Sequence, residues 1–232
     1  MIRFKLPDSN WNYFYGVDNQ QFYLDNSIMF ILPGVTNQIF PTLTDKPLNI
    51  IDANIDGAPV CFSKQNLIFL STAGVYYWAQ NIYQIAHELC HYYICSDCVS
   101  KPMHFFEEIL CDVSSHFFLL KIGHEFPKFT SLIQYHLDTI NNVESFDLKK
   151  LFDDNSLELK SLKTNPYQRE KLRYVTKLVL PIFQENPNLF SELQHMKKVI
   201  ANPSFKQSLY SLKNFVQKEN IQSIDKIIHI FQ

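Results

Sequence analysis

The sequence predicts an α+β fold: a small sheet with two long helices in residues 1–125, then a mostly α-helical region over residues 126–232. Three observations carry that expectation. Short β-prone runs separated by turn formers fill the chain up to about residue 71, and two long amphipathic helical periods follow. From Phe126 onward the pattern is helical almost throughout, punctuated by Pro127, Asn165-Pro166, Asn186-Pro187 and Asn202-Pro203. With 232 residues, 46% of them hydrophobic and 20 of them Phe, the chain can bury a sizeable core. It reads as one large domain, or as a core with an appended helical lobe.

In order, residues 1–57 mix aromatics with turns at Pro33-Gly34, Pro41, Pro47 and Asp56-Gly57, which predicts short strands and one short helix. Ala58–Phe62 and Leu67–Ser71 are apolar runs flanking the polar turn Ser63-Lys64-Gln65-Asn66, a hairpin signal. A helix is predicted from about Tyr77 to Ile94, with Ile82, Ile85, Leu89 and Tyr93 on its apolar back. Pro102 suits the first turn of a second helix, running to about Ile122, with Gly123 as its stop. Phe106, Leu110, Val113, Phe117 and Leu120 form its back, and Glu108, Asp112 and Ser115 its other side. Further helices are predicted near 128–141, 147–161, 166–185 (kinked or broken at Pro181), 188–200, 204–218 and 223–231.

Twenty-one basic against 23 acidic side chains give a net charge of −2, and no basic tract occurs. This disfavours a nucleic-acid partner held by phosphate attraction. The N-terminus lacks the apolar run of a signal peptide, and Ile28–Pro33 and Val113–Ile122 are too short or interrupted to span a bilayer. No membrane partner is therefore expected. The odd count of five cysteines fits reduced thiols in a cytoplasmic protein.

The chemistry concentrates at His87-Glu88-Leu89-Cys90-His91, an H-E-x-x-H pattern. On a helix the two histidines share one face and can reach one metal ion, while Glu88 is turned to take a proton from water. A catalytic zinc site needs a third protein ligand. Glu108, on the next helix, supplies one, and Asp112 follows on the same face as an acceptor for a histidine N–H. Glu107 is the rival ligand; choosing it places Cys111 rather than a carboxylate four residues on, so the pattern favours Glu108.

H-E-x-x-H followed by a helix bearing E-x-x-x-D resembles the gluzincin branch of zinc metallopeptidases, including the compact ImmA/IrrE-like peptidases, over residues 58–123. The resemblance implies a zincin-like core, with His87, His91 and Glu108 as ligands to Zn2+. It makes Glu88 the general base and Asp112 the partner of His87. It also implies hydrolysis of a peptide or protein substrate, extended along the strand before the metal helix, by position Leu67–Ser71. The chain departs from the compact relatives at Cys90, where they carry Gly, and at Leu119–Gly123, where they end in an apolar-Pro pair.

Other readings have less support. A metzincin needs Gly at Ile94, although Asp97 holds the last ligand position. Cys95 and Cys98 cannot join the histidines around one ion, because a continuing helix would put Cys98 about 16 Å from His87. They read as packed or surface thiols, and Cys90 and Cys111 as small buried residues. The oxyanion donor is left open among the remaining histidines and groups such as Tyr167 or Arg173. The function expected is a zinc-dependent peptidase. The alternative is a metal-binding regulator with little general proteolytic activity, acting through a protein partner.

Overall fold

A computed structural model describes residues 2–15, 27–52, 57–72, 77–199, 202 and 204–232. Asp56 of the predicted Asp56-Gly57 turn, Ile200 and Pro203 lie outside those residues. The fold is α+β, built on a five-stranded mixed sheet. Strands β1 (Ile2–Lys5) and β2 (Trp11–Tyr15) pair antiparallel, with Ile2 opposite Tyr15. β3 (Leu48–Asp52) runs parallel to β2, which requires a crossover connection. Helix α1 (Ser27–Ile39) occupies that connection. β4 (Val60–Phe62) and β5 (Leu67–Leu70) form the expected hairpin, and β5 also pairs parallel with β3. The strand order is therefore β1-β2-β3-β5-β4.

That order corrects one expectation. Leu67–Ser71 does not form a free edge, because β5 has a neighbour on either side; the edge on that side of the sheet is β4. Sequence adjacency suggested the wrong strand because β4 folds back outside β5. One face of the sheet is buried with a period of two: Trp11, Tyr13, Leu48, Ile50, Ile68 and Leu70. Buried Asp52 accepts hydrogen bonds at Oδ2 from Tyr13 Oη (3.0 Å) and Thr72 Oγ1 (2.7 Å), which offset part of the cost of burying the carboxylate.

Helix α2 (Trp78–Ile94) buries Ile82, Ile85, Leu89 and Tyr93, the i, i+3, i+7 back its sequence specifies. It stops at Cys95, whose φ of 64° is left-handed and whose N–H donates to the carbonyls of His91 and Tyr92. Just beyond, Asp97 Oδ2 accepts from Ser63 Oγ (2.9 Å) and Lys64 N (3.3 Å), tying the end of α2 to the β4–β5 turn.

Helix α3 (His104–Glu125) is buried on nearly every side, including Glu107, Glu108, Asp112, Ser114 and Ser115. It packs along α2 through small residues. Ser114 Oγ donates to Ala86 O (3.1 Å) and Ser115 Oγ to Tyr83 O (2.9 Å), which fixes the rotation of one helix against the other.

Gly123 does not stop α3, which continues to Glu125. Its small size is used for packing instead: a Cβ there would lie 2.6 Å from Ile133 Cγ1 on α4 (Ser131–Asn141). Gly123→Ala should therefore destabilise the fold. A clash of about 1–3 kcal/mol outweighs the gain of about 1 kcal/mol in helix propensity. A thermal melt showing an unchanged or raised Tm would contradict this packing.

The remaining helices are α5 (Leu148–Leu151), α6 (Leu157–Thr164), α7 (Arg169–Glu185), α8 (Leu189–Glu192), α9 (Phe205–Leu212) and α10 (Ile221–Ile230). The helix expected over 147–161 is split in two, because Asp147 and Ser156 each cap their own start by accepting from Lys150 N and Leu159 N. Pro181 sits inside α7 without ending it. Phe105, Phe152, Phe205 and Phe231 stack into one aromatic cluster, with Phe152 and Phe231 edge-to-face at 4.6 Å. α7 packs along α3, which brings a downstream segment to the helix that carries Glu108 and Asp112. Among the described residues, no helix is long and apolar enough to cross a membrane.

Candidate metal centre

The α2–α3 pair brings the predicted residues together. His87 Nε2 lies 3.1 Å from Glu108 Oε2, and His91 Nε2 lies 3.4 Å from Glu108 Oε1. On the other side of each ring, His87 Nδ1 is 3.3 Å from Asp112 Oδ1, and His91 Nδ1 is 2.7 Å from Glu107 Oε1. Both Nε2 atoms thus converge on one carboxylate; His91 Nδ1 is hydrogen-bonded to Glu107, while His87 Nδ1 lies within ion-pair distance of Asp112 without a hydrogen bond to it. Asp112 is held in turn by Tyr83, whose hydroxyl donates to Oδ1 at 2.7 Å.

From the sequence, Glu107 is only a rival to Glu108. The structure gives it a separate position: 1% exposed, it backs His91 as Asp112 backs His87. The adjacent glutamates diverge because consecutive residues point about 100° apart around α3. The i, i+4 spacing from Glu107 to Cys111 carried no hint of this, and only the helix pairing reveals it.

The charges are strongly coupled. Burial disfavours imidazolium at His87, but Asp112 and Glu108 outweigh it and push the group up to about 10. His91 is raised well above its ordinary value, with burial opposing and Glu107 and Glu108 prevailing. Against their own burial, Glu108 is held far below the usual carboxylate range by both histidines, and Asp112 is lowered by His87 and Tyr83. Glu88 behaves differently. It is 3% exposed and burial raises it, with both histidines opposing and Glu108 and Glu107 adding to the rise. The arrangement concentrates carboxylates around two imidazoles that stay charged only by holding protons, and a cation can replace those protons.

His87, His91 and Cys111 also offer ligand atoms within 4.8 Å of one another, and this group could hold a metal ion. Cys111 is fully buried, as its sequence reading expected, and its thiol is pushed up by burial and by its neighbour Cys90. Cys95 and Cys98 stand apart at the end of α2, Cys98 exposed, with their Sγ atoms 2.6 Å apart.

A cleft of about 410 Å³ opens over the histidines. Ala58–Cys61, at and just before β4, line one part of it, His87, Glu88, His91, Glu108 and Asp112 a second part, the floor, and Tyr167, Arg169 and Arg173 a third, the α7 wall. Among the groups left open for an oxyanion, His104, Tyr167 and Arg173 line this cleft. Tyr167 is raised by burial and then by Glu108, with Glu88 and Glu107 adding and His91 opposing, so its hydroxyl lies within electrostatic reach of the floor.

Beside the site, His116 and His136 are buried with Nδ1 atoms 3.1 Å apart. Burial lowers His116 to about 4 from an ordinary 6.5, with Asp112 opposing and His136 and Arg173 adding. Between those values the unfolded chain binds the proton and the folded chain does not. Stability is therefore present above pH 6.5 and is lost as pH falls towards 4, by about 3 kcal/mol for this one group. Denaturation measured across that window should show a shallower slope in His116→Leu. An unchanged slope would remove His116 as its source.

Set against known proteins, the chain matches no family model, no curated protein and no solved structure.

Proposed function

We propose that this chain is a zinc-dependent peptidase with a zincin-like core, in which His87, His91 and Glu108 hold the ion and Glu88 is the general base. One observation carries the reading: two Nε2 atoms face the two oxygens of a single glutamate, with a carboxylate behind each Nδ1. A nitrogen, nitrogen and oxygen donor set facing a cleft fits zinc with an open position. Cys111 is the weaker third donor, because its side chain pairs with Cys90 and does not line the cleft.

Zinc bound here supplies Lewis-acid chemistry, making water acidic and a carbonyl electrophilic. The protein's own groups do the rest. Asp112 and Glu107 keep the Nδ1 protons of His87 and His91 on the outer side, leaving each Nε2 lone pair free to bind. Glu88, on the cleft floor, accepts the proton of the attacking water and returns it to the leaving amine; burial makes it a stronger base than an ordinary glutamate. Tyr167 donates to the substrate carbonyl oxygen. The exposed edge of β4 pairs with an extended peptide backbone.

The test is reconstitution with zinc, metal analysis, and digestion of a peptide library with a chelator control. About one zinc per chain and chelator-sensitive cleavage are expected. A chain that takes up no metal overturns the site. A stably bound ion with no cleavage of any peptide supports instead the metal-holding regulator acting through a protein partner.

A further inference from the structure

The α7 wall of the cleft is cationic in a selective way. Of 21 basic side chains only three are arginines, and two of these, Arg169 and Arg173, line the cleft while no lysine does. They stand four residues apart on α7, hence on one helical face. Arg169 is exposed and Arg173 half-buried. Among the described residues, neither guanidinium has a carboxylate within ion-pair distance. The acidic floor does not use them: Glu108 lies between the two histidines, and Asp112 is taken by His87 and Tyr83.

A half-buried guanidinium without a partner is costly unless something arrives to pair with it, and its planar fork matches a carboxylate better than an ammonium does. An extended chain on β4 points alternate side chains away from the strand's plane, so one set can turn to the α7 wall. We infer that Arg169 and Arg173 form an anion subsite, which binds a carboxylate of a peptide lying along β4: an acidic side chain or the peptide's own C-terminus. Arg173 supplies most of the selectivity, since its half-buried charge is less screened than that of Arg169.

The inference rests on the peptidase reading, so its test uses binding. Zinc-loaded Glu88→Gln protein is titrated by fluorescence anisotropy with amidated octapeptides carrying Glu, Gln or Lys at each position in turn. A parallel set has a free C-terminus. At one register, Glu or the free C-terminus should bind at least tenfold tighter than the neutral peptide, and which of the two gains identifies the source of the carboxylate. Arg173→Gln should erase that preference, Arg173→Lys restore part of it, and Arg173→Glu shift it to Lys peptides. Circular dichroism and zinc content confirm that each variant is folded and loaded. Affinity indifferent to charge, a preference that survives the Arg169→Gln/Arg173→Gln double variant, or no peptide binding at all would overturn the subsite. Charge-selective binding without cleavage by the unmutated protein would sink the peptidase reading and leave the subsite standing.

Discussion

Glu88→Gln is expected to keep its metal and lose hydrolysis, by about 10²–10⁴-fold or more. The substitution preserves shape, and the side chain that replaces glutamate cannot take a proton. The site should tolerate it well. Glu88 is 3% exposed and burial already disfavours its charge, so a neutral amide is easier to keep there than a carboxylate. His87 and His91 are held by other groups, Asp112 and Glu108 for one and Glu107 and Glu108 for the other. Metal content measured beside turnover separates this result from simple loss of the ion. A Glu88→Gln enzyme with full activity would remove Glu88 from the chemistry.

The second large effect separates the two glutamates. Glu107→Gln removes the charge behind His91 and should weaken metal binding about 10–100-fold. Glu108→Gln removes the carboxylate facing both Nε2 atoms and should cost more. Cys111→Ala should leave affinity within a few-fold, since the thiol lies away from the cleft. Competition against a chelator of known affinity ranks the three variants. If Glu107→Gln proved worse than Glu108→Gln, the roles assigned to them would be exchanged; a large loss in Cys111→Ala would make the thiol a ligand.

Local pattern was enough to place much of this site. The apolar back of α2, the β4–β5 hairpin and the side of α3 carrying Glu108 and Asp112 all follow from periodicity, and the structure has them as expected. The failures share a cause. Glu107 faces His91 because of how α3 is rotated against α2, which Ser114 and Ser115 fix through carbonyls 28 and 32 residues earlier. The free edge is β4 because β5 pairs with β3, a long-range choice that a hairpin signal does not contain. Gly123 reads as a helix stop until α4 is packed against it. The wall bearing Tyr167, Arg169 and Arg173 arrives from beyond the H-E-x-x-H resemblance altogether, carried in by α7 lying along α3.

That placement of α7 bears on how the chain can be cut. A fragment ending near residue 125 would retain His87, Glu88, His91, Glu108 and Asp112. It would nevertheless be a poor surrogate for the whole, because α3 is buried on nearly every side in the intact chain. Stripped of α7–α10, Phe106 and Leu110 would face water, an apolar stripe that promotes self-association. The part of the groove lined by Tyr135, Tyr167, Arg169, Leu172 and Arg173 would be missing as well. The proposed ion ligands and the proposed anion subsite come from separate stretches of the sequence, residues 87–108 and 169–173, so a fragment ending near residue 125 would keep the first without the second.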